Sequence, residues 1–407
     1  MAGPIQKEWC RIPPSANTRN CVATMSKAER PMNIEIIGVW PANKGAMLML
    51  EAVRDRLQRD FPDMRLAAPM DWPVEERLRA SLWATPGRVD RRPTLTSLFE
   101  RLPERLHAAV GFIPRDRIDV ILDASGFGYG DFWGLPKLDY RLNKRLAHWK
   151  NGRKKAILLP QALGPFEEPG MAEAFRGALD RLDIAFVRDS SSAAFVEAVA
   201  PGHRAVRRAP DFTNLLHPEL PRRLDDLRGL PVVIPNEKMV TGKSDAVRAN
   251  YLAFLKTAID MIRAAGKAPF ILVHEGAKDR ALAHELNALL DTKARIVDEA
   301  SALDTKAVIS VAELSVSSRF HGLVSGLSAA VPSLACGWSH KYRELMADYG
   351  CPDLIVDIEK PDSWAGKFQL LLDSAAAPGF RSALAAKGEE ERAKSEAMWS
   401  EVVRTIA

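Results

Sequence analysis

Ile34-Glu35-Ile36-Ile37-Gly38-Val39 is the stretch on which the reading of the fold turns. A short, mostly β-branched run leads through a loop with Pro41 and Gly45 into the amphipathic run 46–59, which reads as strand, loop and crossover helix. The unit recurs. Residues 117–122 lead into a glycine-rich loop, 155–159 into the loop Pro160-Gln161-Ala162-Leu163-Gly164, and 183–187 into a helix over 190–200. A second series follows the proline- and arginine-rich stretch 218–231. It has a strand at 231–234, a helix over 245–265, a strand at 269–273 and a helix over 280–291, then strands at 308–311, 314–317, 333–335 and 354–356. Alternating strands and helices predict an α/β fold of two Rossmann-like domains with parallel sheets and a cleft between them.

A chain of 407 residues suits two domains at about 100–200 residues each. The boundaries expected are 32–220 for the first and 230–375 for the second, with a linker near 218–230. The segment 376–407 reads as a C-terminal helix, roughly 382–406, packing back on the first domain. Residues 1–31 contain Pro13 and Pro14 but no apolar run of the signal-peptide kind, and read as a disordered extension or as sequence upstream of a start near Met25 or Met32.

Composition excludes several classes. The 57 basic and 52 acidic side chains are dispersed, so the surplus of five does not mark a nucleic-acid binder. Cys10, Cys21, Cys336 and Cys351 lie far apart without a C-x-x-C pair. That argues against zinc, redox and disulfide-scaffold readings and fits a reducing, cytoplasmic compartment. The longest uncharged stretch, 322–339, is broken by Pro332 and glycines and does not read as a membrane span. Walker, H-E-x-x-H and G-x-S-x-G patterns are absent. The glycine-rich run Asp123-Ala124-Ser125-Gly126-Phe127-Gly128-Tyr129-Gly130-Asp131 has aspartate where a dinucleotide fingerprint needs its last glycine, and is read as a flexible loop in the cleft.

Chemistry in such folds gathers after the strands. Ser317-Ser318-Arg319-Phe320-His321-Gly322 puts a guanidinium and an imidazole at the start of a helix expected over 323–330, where free backbone N–H groups favour an anion. The next strand end carries Gly337-Trp338-Ser339-His340-Lys341, and the first domain offers Val187-Arg188-Asp189-Ser190. Arg188, Arg319 and Lys341 are therefore expected to meet across the cleft around one anion, with Ser318 beside them and His321 as proton carrier. Taken singly, each is as well read as a cap or surface residue. Asn43, Lys44, Gly45, Gly126, Gln161, Asp211 and His274 also stand after strands, as turn, cap or acceptor-side residues. Trp133, Trp149 and Trp338 are read as packing residues, with Trp338 near enough to Lys341 to touch a sugar.

Asn43-Lys44-Gly45-Ala46, Leu159-Pro160-Gln161-Ala162-Leu163-Gly164-Pro165, Val187-Arg188-Asp189-Ser190-Ser191, Pro210-Asp211 and the Arg319-x-His321 pair followed by Ala330-Val331-Pro332 resemble, in order, the polysaccharide pyruvyl transferases. The resemblance runs over roughly 33–360. It implies a fold similar to GT-B glycosyltransferases, phosphoenolpyruvate as donor, and a sugar diol of a polysaccharide, glycolipid or precursor as acceptor. The product would be a pyruvate ketal and phosphate, with no metal or other cofactor. The family's donor-binding arginine matches Arg188, its R-x-H pair Arg319 and His321, and its downstream lysine Lys341. Ser125-Gly126-Phe127-Gly128 departs from the usual triple glycine, so the acceptor side is expected to differ. The implied place is the cytoplasm, with peripheral contact to a membrane-linked glycan at the inner face of the membrane. Two rival readings share the fold: a glycosyltransferase using a nucleotide sugar, and a non-catalytic sugar-binding or assembly protein.

Overall fold

A computed structural model describes residues 30–87, 99–150, 153–337 and 339–407. The extension expected over 1–31 falls almost wholly outside the described residues, as does Trp338.

Among the described residues two parallel sheets form. The first runs β3-β2-β1-β4-β6-β7-β8 with β5 on β6. Its strands are β1 (Asn33–Ile37), β2 (Arg65–Pro69), β3 (Trp83–Thr85), β4 (Val120–Asp123), β5 (Phe127–Tyr129), β6 (Lys155–Leu163), β7 (Ile184–Val187) and β8 (Val206–Arg208). The second runs β11-β10-β9-β12-β13-β14, from β9 (Val232–Ile234), β10 (Phe270–Leu272), β11 (Ile296–Val297), β12 (Ser315–Ser317), β13 (Ser333–Cys336) and β14 (Ile355–Val356). Helices cover both faces, which is why the strands read as unbroken apolar runs rather than alternating ones. All five residues of β1 are buried. Its one charge, Glu35, is bonded by Thr85 Oγ1 at 2.6 Å and paired with Arg145.

The helix Pro378–Ile406 explains how the chain ends. Met398, Trp399, Val402 and Ile406, spaced along one face, enter the core of the first sheet, whereas Leu384 enters that of the second. Trp399 is fully buried, edge-on to Phe212 at 5.6 Å, and burying an indole contributes roughly 4 kcal/mol by area. Stretch 218–230 holds a 3-10 turn, Arg222–Leu227, whose Leu224 and Leu227 pack into the second core.

Three expectations are corrected. Residues 308–311 are not a strand. Val308 and Ile309 close the helix Ala302–Ser310, capped by Ser301; an apolar run buried on every side carries no period that tells strand from helix. The turn expected at Pro160 is instead the continuation of β6. The register with β7 slips between Leu158 and Gln161, which accommodates a proline with no N–H to donate. The run 123–131 is not a free loop, since β5 forms within it and pairs with β6. Strands β2, β3, β8 and β11 lie outside the runs read as strands along the chain.

Candidate active site

β1, β4, β7, β9, β10, β12 and β13 all point their carboxyl ends at one cleft of about 840 Å³. Arg188 follows β7 and lies almost buried. One guanidinium nitrogen, Nη1, donates to Asp211 Oδ2 at 3.0 Å, and the ring of Phe320 lies 4.2 Å from its Cζ. Its Nε and Nη2 are buried without a hydrogen-bond partner among the described residues. Buried donors left unsatisfied cost about 1–3 kcal/mol each, so a site that keeps two of them is built to meet an acceptor.

Lys341 stands in the first turn of the helix His340–Asp348, its ammonium 5.2 Å from the Phe320 ring and 5.0 Å from that of Phe127. Phe320 therefore packs against two cations, one from each side of the cleft, and its π face offsets part of their repulsion. Burial, and next the Arg188 guanidinium, push the Lys341 ammonium down to about 7 against the opposing pull of Asp211 and Asp189.

His321 lies in the opening turn of the helix Phe320–Ser328, which starts three residues earlier than expected. Its Nε2 is 3.4 Å from Asp211 Oδ2. Burial would raise the Asp211 carboxyl, but the His321 and Arg188 charges and the Thr213 hydroxyl outweigh burial and hold it well below the usual carboxylate range. Gly45 backs the other face of the ring: a Cβ there would stand 2.2 Å from His321 Nδ1. Only glycine lets the first-domain helix Lys44–Asp60 approach so closely.

Arg319 behaves differently from the expectation that it grips the anion. Nε donates to Asp279 Oδ2 at 2.9 Å and Nη2 to Asp279 Oδ1 at 2.5 Å, while Nη1 pairs with Glu275. Its fork is thus engaged by two carboxylates of the neighbouring helix. Burial raises both Glu275 and Asp279, and Arg319 is what opposes that rise. Glu275 and Asp279 sit four apart, one on each side of the start of the helix Gly276–Ala288, a spacing that sequence reading passed over although it puts paired carboxylates on one face.

The other candidates separate. Asn43, Gly45, Gly126 and His274 line the cleft. Asn43 caps the helix Lys44–Asp60, its Oδ1 accepting from Ala46 N at 2.9 Å. His274 is 3% exposed with neither ring nitrogen hydrogen-bonded to a described residue, and burial, then Arg319, Lys44 and His321, lower its pKa well below normal, which favours the neutral imidazole. Lys44 Nζ donates to Val273 O at 3.0 Å, which ties the first-domain helix to the end of β10. Gln161 is fully buried on Asp123, 3.3 Å away, beneath the cleft wall rather than on it. Asp211 joins Arg188 to His321, its Oδ2 lying 3.0 Å from Arg188 Nη1 and 3.4 Å from His321 Nε2. Ser318 is buried, and its carbonyl accepts from Asn236 Nδ2 and Tyr342 OH at 2.7 and 3.0 Å. Phe320, the residue between Arg319 and His321, is the shared face beneath two cations. Trp149 is buried, whereas Trp133 is 39% exposed at the cleft rim with Lys137 Nζ 3.3 Å above its ring.

The polysaccharide pyruvyl transferase family model matches residues 43–340, which include every residue of this constellation but Lys341, one position beyond. The chain belongs to this family. Among solved structures, this family member is similar to UDP-N-acetylglucosamine 2-epimerase from Neisseria meningitidis bound to UDP-GlcNAc (8% identity, 92% of this chain and 99% of that one, TM-score 0.54). It is similar also to Arabidopsis thaliana UGT89C1 complexed with UDP (14%, 92% and 100%, 0.52) and to the spinosyn rhamnosyltransferase SpnG complexed with thymidine diphosphate (15%, 91% and 99%, 0.51). At such identities the likeness shows the fold, which is that of GT-B glycosyltransferases and nucleotide-sugar epimerases. No helix among the described residues is long and apolar enough to cross a membrane.

Proposed function

We propose that this protein transfers the pyruvyl group of phosphoenolpyruvate to two hydroxyls of a glycan, forming a pyruvate ketal and phosphate. The observation that carries this is Arg188: two buried donors without partners, beside Lys341 and His321, in a chain of this family. Phosphoenolpyruvate brings a carboxylate and a phosphate, and Arg188 with Lys341 offers a fork and a point charge for them. Arg319 acts as a positioning residue, holding the strand-end loop through Asp279 and Glu275.

His321, held by Asp211, acts as the proton carrier: in its protonated form it gives its proton to the methylene carbon while a sugar hydroxyl oxygen bonds to C2, and the imidazole then takes that hydroxyl's proton. In the second step the other hydroxyl oxygen bonds to C2, the C2–O bond to phosphate breaks, and the proton leaves with phosphate. His274, neutral at the acceptor side, offers one nitrogen as donor and the other as acceptor to the attacking hydroxyls. The test incubates the protein with phosphoenolpyruvate and a panel of glycans, glycolipids and nucleotide sugars. A product heavier by one pyruvate less one water, formed with phosphate, is the expected result. Thermal protection by UDP, GDP or CMP but not by phosphoenolpyruvate overturns the reading.

Two outcomes follow from the geometry. Because the Lys341 ammonium titrates near 7, its charge is complete below that pH and lost above it. Phosphoenolpyruvate affinity is expected to fall by up to about tenfold per pH unit above 7, with Lys341→Arg removing that fall; thermal-shift titration from pH 7 upward reads both. Gly45→Ala places a methyl against His321 Nδ1. It is expected to displace the ring from Asp211 and slow phosphate release by about 10²-fold, while phosphoenolpyruvate still protects the fold.

A further inference from the structure

A larger cavity, of about 1110 Å³, opens beside the first, at the carboxyl ends of β1 and β2. Its walls carry Trp40 after β1, Asp71 and Trp72 after β2, and Tyr140, Arg141 and Arg145 from the opposite side. The last three come from, or directly follow, the π-helical turn Asp139–Lys144, a rare element found mostly where side chains are re-aimed for function. Trp72 is buried, its Nε1 donating to Val39 O at 3.1 Å. It stands edge-on to Trp40, 6.5 Å away, so Trp40 is braced while 45% of its surface remains exposed. Arg145 is committed to Glu35 beneath the floor. Arg141, half-buried, makes no ion pair or hydrogen bond with any described residue. A braced, exposed indole faces a cavity that also holds, across from Asp71, a guanidinium with no ion pair among the described residues, and this is a chemistry for a sugar ring with an anionic substituent on the Arg141 side.

The two cavities are the two sides of one loop. Asn43, which lines the first, donates its backbone N–H to Trp40 O at 3.0 Å. At the loop's start, a Cβ on Gly38 would stand 2.1 Å from Ser125 Oγ, and Ser125 lines the first cleft.

We propose that this second cavity is a glycan subsite, which takes a sugar ring against Trp40 and a carboxylate of the same chain against Arg141. The enzyme then reads an acidic oligosaccharide and not a lone sugar. The inference rests on the glycan-acceptor reading of the neighbouring cleft, and its test is kept separate from transfer. Calorimetric titration of the full chain uses two probes of equal length: a tetrasaccharide alternating glucuronate with N-acetylglucosamine, and the neutral tetramer of N-acetylglucosamine.

Saturable binding of the acidic tetramer, at least fivefold tighter than the neutral one, is expected. Trp40→Leu should abolish binding of both, and Arg141→Gln should remove the preference alone. Neither residue belongs to a hydrophobic core, so both variants should melt with the wild type. Phosphoenolpyruvate protection should be unchanged in both, which distinguishes failure of the subsite from failure of the donor reading. No saturable binding of either tetramer at millimolar concentration, or wild-type binding by Trp40→Leu, overturns the proposal; equal binding of the two tetramers overturns its anionic half.

Discussion

Replacing His321 by Gln is expected to lower the rate of phosphate release from phosphoenolpyruvate in the presence of acceptor by about 10²–10⁴-fold, the range typical for loss of a positioned proton carrier. Glutamine fills the space between Gly45 and Asp211 and still offers an N–H to the carboxylate, but it cannot give up a proton and take one back near neutrality. Phosphoenolpyruvate should go on protecting the variant against thermal unfolding, because Arg188 and Lys341 remain. The signature is therefore a fall in kcat with donor affinity nearly unchanged. A variant that releases phosphate at the wild-type rate would remove His321 from the chemistry.

Arg188→Met should fail in a different way. Methionine keeps much of the packing on Phe320 but deletes the charge that meets Asp211 and the two donors that await an anion. Breaking a buried pair by removing one partner leaves a charge with too little to offset its lost hydration, at a cost of about 3–5 kcal/mol. Denaturant unfolding should show that loss. It should be partly relieved at low pH: Asp211 loses in the variant one of the charges that hold it down in the native protein, and accepts a proton more readily. Phosphoenolpyruvate affinity is expected to fall by about 10²–10³-fold, with Arg188→Lys between the two, since lysine restores the charge without the fork. If phosphoenolpyruvate protects Arg188→Met as well as it does the wild type, the donor is held elsewhere and the fork of Arg319 must exchange its carboxylates for it.

Much of this protein can be read along the chain. Strands such as Asn33–Ile37 and Ile184–Val187 are legible because a parallel strand covered on both faces must be apolar throughout, and few other local structures demand that. What failed has identifiable causes. Val308 and Ile309 are apolar because they are buried, and burial alone does not say in which geometry; β3, β8 and β11 are only two or three residues long and form sheet edges, where the signal thins.

The roles divide in the same way. That Arg188, Arg319, His321 and Lys341 follow strands in a two-sheet α/β fold, and therefore approach one cleft, was determined by the order of residues alone, since parallel strands deliver their carboxyl ends to one edge. Which guanidinium is available to a ligand was decided by the tertiary structure. Arg319 meets Asp279, forty residues away in sequence, and its fork closes on it, whereas Arg188 gives one nitrogen to Asp211 and keeps two. The identity of a side chain settles how many hydrogen bonds it can make; only its neighbours in space settle how many are already made.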